Sequence, residues 1–138
     1  MDKPSVGETY LIVEQDESTK ERLEQIDIQL KTSDTYQKLT RLTKKVNETA
    51  SSELWKQLDD LFIEYHKEFH TFVHSIENVT DNEIIICELV RLGFNPSLIA
   101  VIMNCSNSYI ATIRADLHYK IFGKKGKPKE VDKYLISI

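Results

Sequence analysis

The residues best suited to chemistry fall into two groups, and the first is a histidine series. His66, His70 and His74 stand four residues apart. On one helix this spacing sets neighbouring imidazoles about 6 Å apart along one side, near enough for a pair to share a zinc ion. The three drift from the edge of an apolar stripe onto the polar face. They lack the nearby cysteine or carboxylate geometry that would close a tetrahedral site. The plain reading is therefore a helix flank, with a zinc pair or a pH-responsive strip as alternatives. Cys87 and Cys105 lie inside apolar helical patterns, as reduced, buried thiols do. No glycine-rich phosphate loop, no supported Ser/His/Asp order and no Cys–His metal spacing occurs. The sequence thus predicts no catalytic residue, no metal and no cofactor, and it does not read as an enzyme.

The second group runs from Ser106 to Lys125. Asn107, Ser108, Tyr109, Thr112, His118 and Tyr119 would face outward from one helix. Asn and Ser can hydrogen-bond base edges, and Thr can contact a thymine methyl. Arg114 and Lys120, with Lys124 and Lys125 just beyond, are placed to neutralise phosphates. The elements that would position them are sharply punctuated. Thr80 followed by Glu83 is a capping box, and the apolar run after it ends at Gly93, which can close a helix in the left-handed conformation. Asn95-Pro96 is a cap followed by proline at the first helical position. Ser106 caps a helix to about Phe122, stopped by Gly123. A short helix, a tight turn and a longer helix with a polar face make a helix-turn-helix, which sets one helix into the DNA major groove.

The stretch Val79–Gly123 resembles, without a gap, the C-terminal DNA-binding domain of LuxR/GerE-type bacterial transcription regulators. Thr80 and Glu83 match the opening of that family's first helix, Gly93 its inter-helix glycine, Ile99-Ala100 its Ile-Ala pair and Ser106 the start of its recognition helix. Ile110, Arg114, Leu117, Lys120 and Gly123 match its later valine, arginine, apolar, lysine and glycine positions. Residues 30–76 and the ending from Phe122 to Ile138 resemble the cytosolic part of membrane-anchored regulators that carry tetratricopeptide repeats and a coiled coil. The resemblance implies a transcription regulator, or the output portion of a larger one, that binds double-stranded DNA through Ser106, Asn107, Ser108, Tyr109, Thr112, Arg114, His118, Lys120, Lys124 and Lys125. It also implies a fourth helix, after Pro128, that closes the domain and often supplies a dimer contact. A homodimer is expected, with a regulatory protein or upstream sensor region as a further partner. The third helix departs from the family at Ala111, Thr112, Ile113 and Ala115, where lysines, other polar groups and a histidine are usual. Ile84, Ile85, Val101 and Ile102 add apolar surface at family-polar positions. The alternative reading is a degenerate helix-turn-helix used for protein–protein contact or oligomerisation.

The rest of the chain reads as all-α. Residues 1–17 form a tail with one short apolar run, Tyr10–Val13; 18–78 form a helical hairpin or coiled-coil-like packing and dimerisation region; 79–138 form the four-helix reader. Ser18 and Glu21 open the first helix, whose stripe loses register near Ser33-Asp34, so residues 18–46 are one kinked helix or two short ones. Residues 47–52 form a turn. Leu54, Leu58, Leu61, Tyr65, Phe69, Phe72 and Ile76, widened by Trp55, Phe62 and Val73, predict one long helix over 52–77 with a face broad enough for a core. Further helices are expected at 82–92, 96–103, 107–122 and 128–137. Of 138 residues 41% are hydrophobic, and the net charge is −4. Met1–Thr80 carries 10 Lys+Arg against 16 Asp+Glu, and Asp81–Ile138 carries 8 against 6. An acidic front and a mildly basic end suit a signalling module attached to a DNA reader. With neither an apolar run of about 18 residues nor a signal-peptide core, the expected location is the cytoplasm.

Overall fold

The computed structural model describes residues 17–45 and 48–138; most of the expected tail, with Tyr10–Val13, lies outside them. The described residues form eight helices and no strand: α1 Glu17–Lys31, α2 Asp34–Leu42, α3 Ser52–Tyr65, α4 Lys67–His74, α5 Asp81–Arg91, α6 Pro96–Met103, α7 Asn107–Phe122 and α8 Pro128–Ser137. None of them is long and apolar enough to cross a membrane.

Side-chain caps set most of these boundaries. Ser33, Ser51, Asn95 and Ser106 each accept a backbone N–H from the third residue on, at the starts of α2, α3, α6 and α7, which satisfies a donor that has no intrahelical partner. The Thr80–Glu83 box forms in full. After α5 the chain turns at Gly93 (φ 90°), with Gly93 N donating to Val90 O at 2.9 Å and Phe94 N to Leu89 O at 3.2 Å. That pair of bonds is the Schellman closure. Asn104 takes the left-handed conformation (φ 53°) that ends α6. Of the two readings for residues 18–46, two helices is the one observed, parted at the Ser33 cap.

The long helix expected over 52–77 is broken. His66 (φ −147°, ψ 64°) ends α3 and begins α4, in a segment with neither proline nor glycine. Its imidazole is buried, and Nε2 donates to the main-chain oxygen of Ile138 at 2.9 Å. The same oxygen receives Arg91 Nε at 2.9 Å, and Arg91 Nη1 donates to Asp27. Arg91 is 3% exposed, so its charge depends on these two acceptors. One guanidinium thereby ties α1, α5 and the end of α8 together, and His66 adds the α3–α4 junction.

Leu58, Phe62, Phe69, Ile86, Leu89, Ile102, Leu117 and Leu135 belong to one buried cluster running from the first helices to the last. The aromatic stripe is buried at Phe62, Phe69 and Ile76 and half-buried at Trp55. Tyr36 stacks on Phe94 with centroids 5.4 Å apart, and Phe72 meets Tyr134 edge-on at 5.5 Å, so residues before and after position 79 share their packing. On the helix after Pro128, which the resemblance offers for a dimer contact, Val131 and Leu135 are fully buried in the chain's own core. Cys87 and Cys105 are free, and burial raises both thiols above their ordinary range.

Phe69 is 1% exposed and its ring lies 4.9 Å from that of Phe62. Phe69→Ala is expected to lower the unfolding free energy by about 3–5 kcal/mol, read by urea titration. His66 gives a pH-dependent signature. Burial holds its imidazole below the usual histidine range, opposed in part by the bond to Ile138 and aided by the Arg91 charge. The unfolded chain therefore takes up a proton first as pH falls. Stability from this group is complete above the unfolded value near 6.5 and is lost as pH drops towards the lower folded value. Glu88 contributes the opposite slope over the same range, because burial beside Asp59 pushes it up to about 10. The measurement is thus the difference between the parent and His66→Gln: the parent's advantage should shrink from pH 7 to pH 5.

Candidate nucleic-acid interface

The outward surface of α7 is built by the cap at Ser106 and the apolar residues beneath it. Ile110, Ile113, Leu117 and Ile121 are buried, which leaves Asn107, Ser108, Ala111, Thr112, Ala115, Asp116 and Tyr119 exposed. Thr112 Oγ1 donates to Ser108 O at 3.0 Å, and Tyr109 OH accepts from Asn82 Nδ2 at 2.9 Å. A shallow groove runs between the N-terminal end of α5 and α7, bordered by Asn82, Tyr109, Thr112, Asp116 and Lys120. Asn82 had no signal in the sequence, because its part in this groove depends on the crossing of two helices 27 positions apart.

The residues expected to reach phosphates divide. Arg114 is 8% exposed and makes a two-point ion pair with Asp132 of α8, Nε to Oδ1 at 3.2 Å and Nη2 to Oδ2 at 2.5 Å. Lys120 Nζ donates to Glu83 Oε1 at 2.6 Å and to Asn78 O at 2.9 Å. That Glu83 oxygen also accepts the Thr80 N–H of the capping box at 2.8 Å. His118, expected outward, is 1% exposed. Its Nδ1 donates to Lys124 O at 2.7 Å, and its Nε2 stands 3.4 Å from Glu130 Oε1 without forming a hydrogen bond to it. A Cβ on Gly126 would come within 2.3 Å of this ring, so the loop can cross His118 only as glycine. Lys124 and Lys125 are exposed, as are Lys127 and Lys129 beyond them.

The histidines also part company. The break at His66 turns that side chain into the core, whereas His70 and His74 converge on Asp59 of α3. Nε2 of His70 lies 3.2 Å from Asp59 Oδ2 and Nε2 of His74 lies 2.9 Å from Oδ1, with the two rings 4.1 Å apart. The carboxylate that the sequence spacing did not supply comes from the preceding helix. Partial burial pushes Asp59 upward, but hydrogen bonds from His74, Glu88 and His70 together outweigh it and hold the carboxyl below the usual range. Glu88 of α5 is 1% exposed, and its raised value makes it a neutral acid against Asp59.

Comparison with protein-family models, with curated proteins and with solved structures finds no match to this chain.

The ion pair of Arg114 separates a structural role from a DNA-contacting one. Arg114→Ala should destabilise the fold by roughly 3 kcal/mol, the low end for breaking a buried pair, with Arg114→Lys recovering part of the loss. Unfolding in urea at two salt concentrations reads this directly. Unchanged stability together with lost DNA binding would return Arg114 to the phosphate-contacting set.

Proposed function

We propose that α5–α8 form a LuxR-type helix-turn-helix domain and that the chain is a DNA-binding transcription regulator, or the DNA-binding output of a larger one. The observation that carries this reading is the face of α7. It is uncovered from Asn107 to Tyr119, lined by small or hydrogen-bonding side chains, and followed by the exposed lysines of the loop into α8. Ala111 and Ala115 let the helix backbone approach a groove floor closely, while Asn107, Ser108 and Thr112 offer groups for base edges. With Arg114 and Lys120 engaged inside the protein, phosphate contact falls to Lys124, Lys125 and their neighbours Lys127 and Lys129.

Few phosphate contacts mean weak binding by one copy, so a homodimer is part of the proposal: a second linked reader raises avidity by about 10²–10⁴, on half-sites about 10 base pairs apart. On α8 the large apolar residue left for such a contact is Ile136, 51% exposed.

The second reading, a protein-docking surface, draws on the charge of the same face. Asp81 and Asp116 are exposed there with Tyr109 and Tyr119, and the outward residues of α7 from Asn107 to Tyr119 include no cation.

Fluorescence anisotropy with a bulk duplex, repeated across salt concentrations, distinguishes the two. Two to four phosphate contacts predict a log–log slope of about −2 to −4. Replacing both Lys124 and Lys125 with Ala should flatten it by about 2. Thr112→Ala should leave the slope unchanged and relax sequence preference. No salt-dependent binding at low ionic strength would favour the protein-docking reading.

A further inference from the structure

Asp59, His70 and His74 bring one carboxylate and two imidazoles to a single point on the flank of α3 and α4. One donor atom from each lies within 4.8 Å of the other two. A tetrahedral zinc ion, with bonds of about 2.0–2.2 Å, holds its donors about 3.3–3.5 Å apart. The observed separations, 3.2 Å from His70 Nε2 to Oδ2 and 2.9 Å from His74 Nε2 to Oδ1, are close to that spacing. Both imidazoles already present Nε2, the atom that would bind.

A second observation points to a cation independently of these three residues. Glu88 approaches Asp59 from α5, and its Oε2 is fully buried with no hydrogen-bond partner. Among the described residues, no Lys or Arg pairs with either carboxyl group. The buried, unpartnered Glu88 Oε2 beside Asp59 is a polar atom of the kind that completes the surroundings of a bound ion by hydrogen-bonding a first ligand. Asp59, His70 and His74 keep side-chain exposures of 29%, 21% and 40%, which leaves a route for the ion and an outward position for water.

We infer that Asp59, His70 and His74 bind one divalent transition-metal ion of the Zn²⁺ type, with Glu88 beside Asp59 as the buried group that orients it. Two imidazole donors select Zn²⁺ or Co²⁺ over Mg²⁺ and Ca²⁺, which take oxygen ligands. The bound ion would cross-link α3 to α4 beside α5, fixing the short helix that follows the His66 break. This site does not depend on the DNA-binding reading, and its test uses no DNA.

The full chain, stripped with a chelator and dialysed, is titrated with Co²⁺ and then with Zn²⁺. One equivalent of Co²⁺ should develop visible ligand-field absorption, which Zn²⁺ displaces and millimolar Mg²⁺ does not. His70→Gln, His74→Gln and Asp59→Asn should each weaken Co²⁺ binding by more than about 100-fold, beyond what losing an outer-shell partner costs. Circular dichroism of the metal-free variants checks that they remain folded. In the unaltered chain, Zn²⁺ should shift the imidazole nitrogen resonances of His70 and His74 and leave those of His66 and His118 in place. No stoichiometric uptake, uptake that survives His70→Gln and His74→Gln together, or resonance shifts at other histidines would overturn the site.

Discussion

A charge taken out of water must find a partner, and α5 carries three ionisable side chains under that constraint. Glu83, Glu88 and Arg91 are each 3% exposed or less, and each answers to a different neighbour. Glu83 accepts from Lys120 of α7, Glu88 lies against Asp59 of α3, and Arg91 reaches Asp27 of α1 and the Ile138 oxygen. An apolar α5 could slide or rotate among several packings of similar burial. Glu83 and Arg91, each paired with a group on another element, and Glu88 set against Asp59 narrow that choice. Such groups add little net stability and much specificity when each is met. In this chain they set the register of α1, α3, α7 and α8 on a single helix.

The same requirement explains why the outward surface of α7 is so short of positive charge. Arg114 and Lys120 occupy positions at which the resembled family also has basic residues, and both are held by acids of this chain, Asp132 and Glu83. A guanidinium with a two-point carboxylate partner is oriented and largely neutralised, so it fastens α8 to α7 and contributes little potential outside. His118 is likewise fixed by Lys124 O under the Gly126 crossing, which positions the lysine loop. Charged residues that a pattern assigns to recognition here hold the elements in place.

Local signals were legible in the sequence, and long-range ones were not. The Thr80–Glu83 box, the Ser33, Asn95 and Ser106 caps and the Gly93 and Gly123 closures operate within a few residues, and each appears where its residues stand. The stripe through Phe62, Phe69 and Ile76 revealed a buried face because helical period reports burial directly. The same stripe concealed the break at His66, since that interruption depends on an oxygen 72 residues away and not on a local breaker. Arg114, Lys120 and His118 looked outward because nothing nearby in sequence identifies Asp132, Glu83 or Lys124 as partners. Asp59 was equally hidden: it lies 11 and 15 residues before the two imidazoles it joins, on the far side of the break.

That break also decides how the two ends of the chain can influence one another. With a continuous helix over 52–77, His66, His70 and His74 would sit in one series. The interruption divides their roles, placing His66 with Arg91 at the last turn of α5 and His70 and His74 with Asp59 beside Glu88, one turn earlier. Both contacts lie in the C-terminal half of α5, while Glu83 in its first turn is tied to α7. A change in charge or ligation at either contact therefore acts on an 11-residue helix, not on a loop. Coupling between sites needs an element whose position both can bias. Among the described residues, α5 is the element that touches the histidine cluster at one end and holds the base of α7 at the other.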